Sequence, residues 1–222
     1  MLTAETQTTI CNKALDLLGE ENITSLNDDQ SLQARILRNH FDLSLNSVLE
    51  YGHWPFATVE EPLTRLDYPE YAKEQKYVYA LPDFCILIKS IYKVFDRKHL
   101  PHRIDWDLRY IPKLKKTCII CNMSNSKELD NEEEIADKNE QLVIEFVSSN
   151  SGVSTYTPGF IRCLSAQLAA DVSMAITHDM QRTQFMIQIA EAYKKQALQD
   201  AMNQDGEDKG LFIDPITRSR GF

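Results

Sequence analysis

The sequence predicts an α+β fold: mainly a helical bundle drawn from the N- and C-terminal segments, an inserted small antiparallel β domain, and an extended C-terminal tail. Three observations point there. Apolar residues recur at helical spacing in 1–75 and again in 158–203. Between them, 76–157 is rich in β-branched and aromatic residues interrupted by turn formers. From 204 to 222 the chain is polar with one apolar island, and such a tail buries nothing by itself.

The first helix covers about Thr6 to Leu18, because Ile10, Ala14, Leu17 and Leu18 repeat at helical spacing. Upstream threonines can cap it and Gly19 is placed to end it. Asn27-Asp28-Asp29 then supplies cap candidates for a second helix from about Gln30 to Tyr51. Its expected inward stripe is Leu32, Ile36, Leu43, Val48 and Tyr51, with Gln33, Arg38, Asn39 and Asn46 outside. Gly52 stops this helix, and the bulky Trp54-Pro55-Phe56-Ala57 that follows is costly to leave in water. It is expected at the joint between helix two, the sheet and the late helices.

Residues 58–75 read as a connector with room for one short element. Strands are expected at Tyr77 to Pro82, at Phe84 to Ile88 running on through Ile91 to Phe95, at Arg103 to Ile111, at Thr117 to Cys121 and at Gln141 to Val147. The acidic stretch 122–139, with Glu132-Glu133-Glu134 at its centre, reads as a solvated loop, or as a tip that contacts a partner or repels DNA. Pro158 suits the first turn of a third helix whose face is Phe160, Leu164, Leu168, Val172, Ala175 and Ile176. Ala166, Ala169 and Ala170 permit close helix approach. A break at Thr177-His178-Asp179 starts a fourth helix, antiparallel to the third, whose period is Phe185, Ile189, Ala192, Tyr193 and Ala197.

Composition narrows function. At 222 residues and 43% hydrophobic, the chain can bury one substantial core. A net charge of -9 and a pI near 5.1 argue against a broad basic grip on nucleic acid. No apolar run is expected to approach the roughly 20 residues of a membrane span, and Met1 to Glu5 opens no secretory signal, so assembly in cytosol is expected. Five cysteines without secretory context read as free thiols, with Cys11, Cys85 and Cys163 in core packing.

His99 and His102 with Cys118 and Cys121 form the one metal-like constellation, a candidate tetrahedral zinc set for a cytosolic binding protein. Against it, Cys118 and Cys121 lie three apart in a strand, where side chains point to opposite faces. No cofactor is expected otherwise. Enzyme chemistry is not expected, since no phosphate-binding glycine loop or nucleophile elbow is present. Asp105 and Asp107 read as a solvated pair, and His40 and His53 as structural histidines. The tail offers Leu211, Phe212 and Ile213 as apolar anchors, with Arg218, Arg220 and Phe222 at its end, a combination suited to docking in a partner's groove.

In order and spacing, Ile10 to Gly19, Ile23 to Leu26, Trp54 to Ala57, Tyr79 to Pro82 with Phe84-Cys85, Tyr92 to Val94 and Leu168 to Ala170 resemble the tail tubular protein A family, the head-to-tail adaptors of short-tailed double-stranded DNA phages. The resemblance covers roughly residues 8 to 200. It implies a virion protein without general catalytic activity, forming a dodecameric ring at the portal vertex. That ring would bind the portal protein and a tail nozzle or second tail tubular protein, help retain packaged DNA, and conduct it at ejection. On this reading the tail docks on the portal, and Trp54, Pro55, Phe56, Phe160 and Leu168 serve core and subunit packing. The long acidic loop and extended tail depart from shorter members.

Overall fold

The computed structural model describes residues 4–68, 76–95, 98–100, 104–122, 141–150 and 156–204. Within them the fold is α+β, with helices from both ends of the chain flanking two small antiparallel sheets.

Helix α1 spans Ala4–Leu18 and ends at Gly19, whose φ of +70° lies in the left-handed region that glycine enters without a Cβ penalty. The following loop folds back onto α1 through side-chain hydrogen bonds. The Asn12 amide donates to the Ile23 carbonyl at 3.0 Å and its oxygen accepts from the Ile23 N–H at 2.9 Å. The Leu26 N–H donates to Thr8 Oγ1 at 3.0 Å. Ile23 and Leu26 are thereby held in the core. Asp29 accepts from the N–H groups of Ser31 at 2.8 Å and Thr24 at 3.1 Å, and those bonds, Ser31's first, hold its carboxyl below the usual value.

Ser31 caps α2, Leu32–Glu50, by accepting from the Ala34 N–H at 3.2 Å. The buried face of α2 is Ala34, Leu37, Phe41, Ser44, Leu45, Val48 and Leu49. This corrects the expected stripe. Leu32, Leu43 and Tyr51 are 54%, 67% and 39% exposed, and Ile36 is half-buried. A second apolar series, Leu37, Phe41, Leu45, Val48 and Leu49, takes the inward side instead, and beside it Ser44 donates to Asp171 of the next helix at 2.5 Å.

That helix, α3, spans Pro158–Thr177 and packs against α1, α2 and α4. Thr157 Oγ1 accepts from the Phe160 N–H at 3.2 Å, and Pro158 occupies the first turn. His178, at φ 53°, ends it. Phe160, Leu164, Ala166, Leu168, Ala169 and Val172 are fully buried, whereas Ala175 is exposed. By length and a mean hydropathy of 1.2, α3 meets the measure of a membrane span, contrary to expectation. Yet 56% of that window is buried inside the protein, as befits a core helix. Asp179 then accepts from the N–H groups of Gln181 and Arg182 at 2.9 and 3.2 Å, opening α4, Met180–Gln204. The core face of α4 is Met186, Ala190, Ala197 and Ala201, with Ile189 and Tyr193 half-buried. Phe185, expected there, is 60% exposed.

Strand structure begins earlier than the expected 76. After a 3₁₀ turn at Pro55–Ala57, β1 (Thr58–Pro62) and β2 (Arg65–Leu66) occupy the supposed connector. Then follow β3 (Tyr77–Ala80), β4 (Cys85–Phe95), β5 (Lys98–Leu100), β6 (Trp106–Ile111), β7 (Lys116–Cys121) and β8 (Gln141–Ser148). One sheet runs β1-β8-β4-β5 and the other β2-β3-β7-β6. The chain crosses between them at Leu63 and Thr64. There the Leu63 N–H donates to Leu142 at 2.8 Å and Thr64 accepts from Ala80 at 2.9 Å. Ile91, Leu142, Ile144 and Phe146 from the first sheet meet Tyr79, Ile119 and Cys121 from the second in one buried cluster. Val147, with Ile86 and Leu87 beside it, instead joins the helical core and ties the first sheet to the bundle.

Candidate interaction surfaces

Trp54 lies at the joint of all these parts. It is 0% exposed, and its indole N–H donates to the Val48 carbonyl at 3.0 Å. Its ring stands 5.0 Å from that of Phe160, edge-on. Phe56, half-buried, lies 4.7 Å from Phe160 and 5.2 Å from Tyr156. Four aromatic rings, Trp54 and Phe56 at the 3₁₀ turn and Tyr156 and Phe160 around the start of α3, thus close one cluster, while Pro55 faces solvent. Leu168 is buried two turns further along α3. The knot is packing: its rings fill the joint.

Beside the knot, Gly52 lets α2 end against α4. A Cβ there would sit 2.5 Å from Leu198 Cδ1. Lys194, 8% exposed, pairs with Glu191 and lies over the Tyr51 ring at 5.1 Å. His53 has a buried Nδ1 with no hydrogen-bond partner and lies near the Lys89–Glu145 ion pair, whose charged atoms are 2.9 Å apart. Burial first, then the Lys89 charge, depresses its imidazole below 6.5, against an opposing pull from Glu145.

The two cysteines of the zinc constellation are not brought together. Cys118 packs with Val78, Ile111 and Ile120 on one face of β7, while Cys121 packs with Tyr79 and Ile119 on the other. Two thiols on opposite faces of a strand cannot ligate one ion. His99 lies in β5 opposite Val94, and His102 lies outside the described residues. No group of three or more His, Cys, Asp or Glu could hold a metal among the described residues. Burial pushes the thiols of Cys11 and Cys163 up to about 12 and that of Cys85 up to about 11, which suits packing and opposes nucleophilic use. Asp107 is paired with Arg109 at 2.9 Å on an exposed strand, and Asp105 is exposed. His40 is half-buried on α2.

What remains is surface. A groove of about 580 Å³ runs between α1, α3 and α4, lined by Lys13, Asp16, Leu17, Pro158, Ile161, Arg162, Ser165 and Tyr193. The buried Ser165 hydroxyl has no partner there, and Arg162 lies 5.8 Å from the centre of the Tyr193 ring. Leu32 and Leu43 on α2, and Met180, Phe185 and Ile187 on α4, are half or more exposed. Trp106, Leu108 and Tyr110 form a further exposed series on β6. Sequence periodicity assigned Leu32, Leu43 and Phe185 inward and gave Met180 and Ile187 no role. Leu211, Phe212, Ile213, Arg218, Arg220 and Phe222, and the acidic stretch 123–139, lie outside the described residues. No protein-family model matches the chain, and no curated protein matches it.

Proposed function

We propose that this protein is a head-to-tail adaptor subunit of a phage virion, a non-enzymatic component that assembles as a dodecameric ring between portal and tail nozzle. The observation that carries the reading is a set of large apolar side chains left exposed on the helical frame. Leu43 is 67% exposed on α2, and Phe185 and Ile187 are 60% and 50% exposed on α4, although the core beneath is closed. Large apolar side chains left outward on two helices suit lateral packing against neighbouring copies. The net charge of -9 suits a conduit wall past which DNA moves without being held. The segments that carry the family resemblance supply much of the frame: α1 with its stapled loop, the Trp54 knot and the middle of α3. The tail, through Leu211, Phe212, Ile213, Arg218, Arg220 and Phe222, is the proposed portal anchor.

The test is electron microscopy of the chain mixed with its portal protein, and of virions. A ring at the portal vertex is expected, and Phe185→Glu combined with Ile187→Glu should give a folded subunit that fails to form it. Truncation after Asn203 should leave the fold and weaken portal attachment. Virions lacking the protein at that vertex would defeat the assignment.

A further inference from the structure

Sheet edges expose unpaired backbone groups, and proteins usually blunt them with proline, charge or short length. Among the described residues, three of the four edges are blunted. Strand β1 ends in Pro62 and carries Glu60 and Glu61, while β2 and β5 are only two and three residues long. Strand β6 is six residues long, has no proline, and stands at the end of its sheet. Its Trp106, Leu108 and Tyr110 alternate on one face and are 37%, 42% and 63% exposed. On the other face stand Asp107 and Arg109, with side chains 60% and 51% exposed.

We propose that β6 is a self-complementary edge through which two copies of this chain pair, antiparallel, with Leu108 on the two-fold axis. In that register Leu108 lies opposite Leu108 of the partner subunit. Trp106 then lies opposite Tyr110 of the partner subunit, and Asp107 opposite Arg109 of the partner subunit. Aromatic and opposite-charge cross-strand pairs are the stabilising kinds. Centring the pairing on Asp107 or on Arg109 would instead set two like charges face to face, so the charge pattern selects the register. The stripe continues the inter-sheet face, since Trp106 and Leu108 register with Cys121 and Ile119 of β7. The contact joins two four-stranded sheets into one.

A single pair of six-residue strands buries less than a stable complex requires, so the dimer is weak and concentration-dependent. A two-fold contact closes after two copies and cannot propagate around a ring. The proposal is therefore a property of the free subunit and does not rest on the adaptor reading.

Sedimentation velocity of the purified full chain across a wide concentration range tests it. Wild type should shift from monomer to dimer. Asp107→Arg and Arg109→Asp should each weaken dimerisation by at least about tenfold, because two like-charge pairs then face each other across the axis. The combined exchange should restore the dimer. Mixing the two single variants should give a heterodimer, since one strand then presents only positive charge on this face and the other only negative. Far-UV circular dichroism checks each variant's fold; should a single variant unfold, Leu108→Lys, at an exposed position, is read in its place and should be monomeric. A wild type that stays monomeric, single variants that dimerise like wild type, or a mixture that stays monomeric would each overturn the pairing.

Discussion

The indole of Trp54 meets the ring of Phe160 at 76° between planes and 5.0 Å between centroids, with its N–H satisfied by Val48 at the end of α2. The pair joins the N-terminal half of the bundle to its C-terminal half. Phe160→Ala should cost about 3–5 kcal/mol in a urea titration followed by circular dichroism, through lost burial and the cavity left behind. Trp54→Phe, which removes the donor to Val48, should cost about 1–3 kcal/mol. A double-mutant cycle on the two rings should return a coupling of about 0.5–1.5 kcal/mol; costs that simply add would deny the contact its role.

Asn12 holds both backbone groups of Ile23, in the manner of a strand partner. Asn12→Ala should destabilise the fold by about 1–3 kcal/mol and speed amide exchange at Ile23. Asn12→Asp should be no better, because it turns a carboxylate toward the Ile23 carbonyl. Unchanged exchange at Ile23 would count against the staple.

Gly52→Ala should destabilise by about 1 kcal/mol or more, since the added methyl meets Leu198 at 2.5 Å. Leu198→Ala should cost stability alone, yet the double variant should lose less than the sum of the two. Strict additivity in the same titration would mean that the helices do not approach as closely as that distance requires.

His53 sets a pH dependence with a definite sign. Its imidazole is depressed below 6.5 in the fold, so the unfolded chain takes up the proton first as pH falls. Its contribution is fully present above 6.5 and is lost as pH falls through that value and then through the folded one. Between about pH 7.5 and about pH 5.5 the melting temperature of wild type should fall further than that of His53→Gln. Equal falls would remove His53 as the cause.

Helix limits were legible because their signals are local: Pro158 starts α3, and His178 with Asp179 ends it and opens α4. The inward phase of α2 was misread because two apolar series compete on it: Leu37, Phe41, Leu45, Val48 and Leu49 face the core, while Leu32 and Leu43 do not. Strand β1 was hidden by its edge position, which lets Glu60 and Glu61 point to water and erases the apolar alternation. The separation of Cys118 from Cys121 was legible, since strand period alone puts them on opposite faces. The groove at Ser165 was invisible in the sequence, as it needs three helices at once.

The place of α3 has a consequence for how the chain is made. Helices α1 and α2 both pack on α3 rather than chiefly on each other, and α3 begins only at Pro158. During synthesis the first two helices emerge with their apolar faces uncovered, and the whole β region leaves the ribosome before the helix that covers them arrives. The β region has its own inter-sheet core and can close first, whereas the helical core must form late, across a long stretch of sequence.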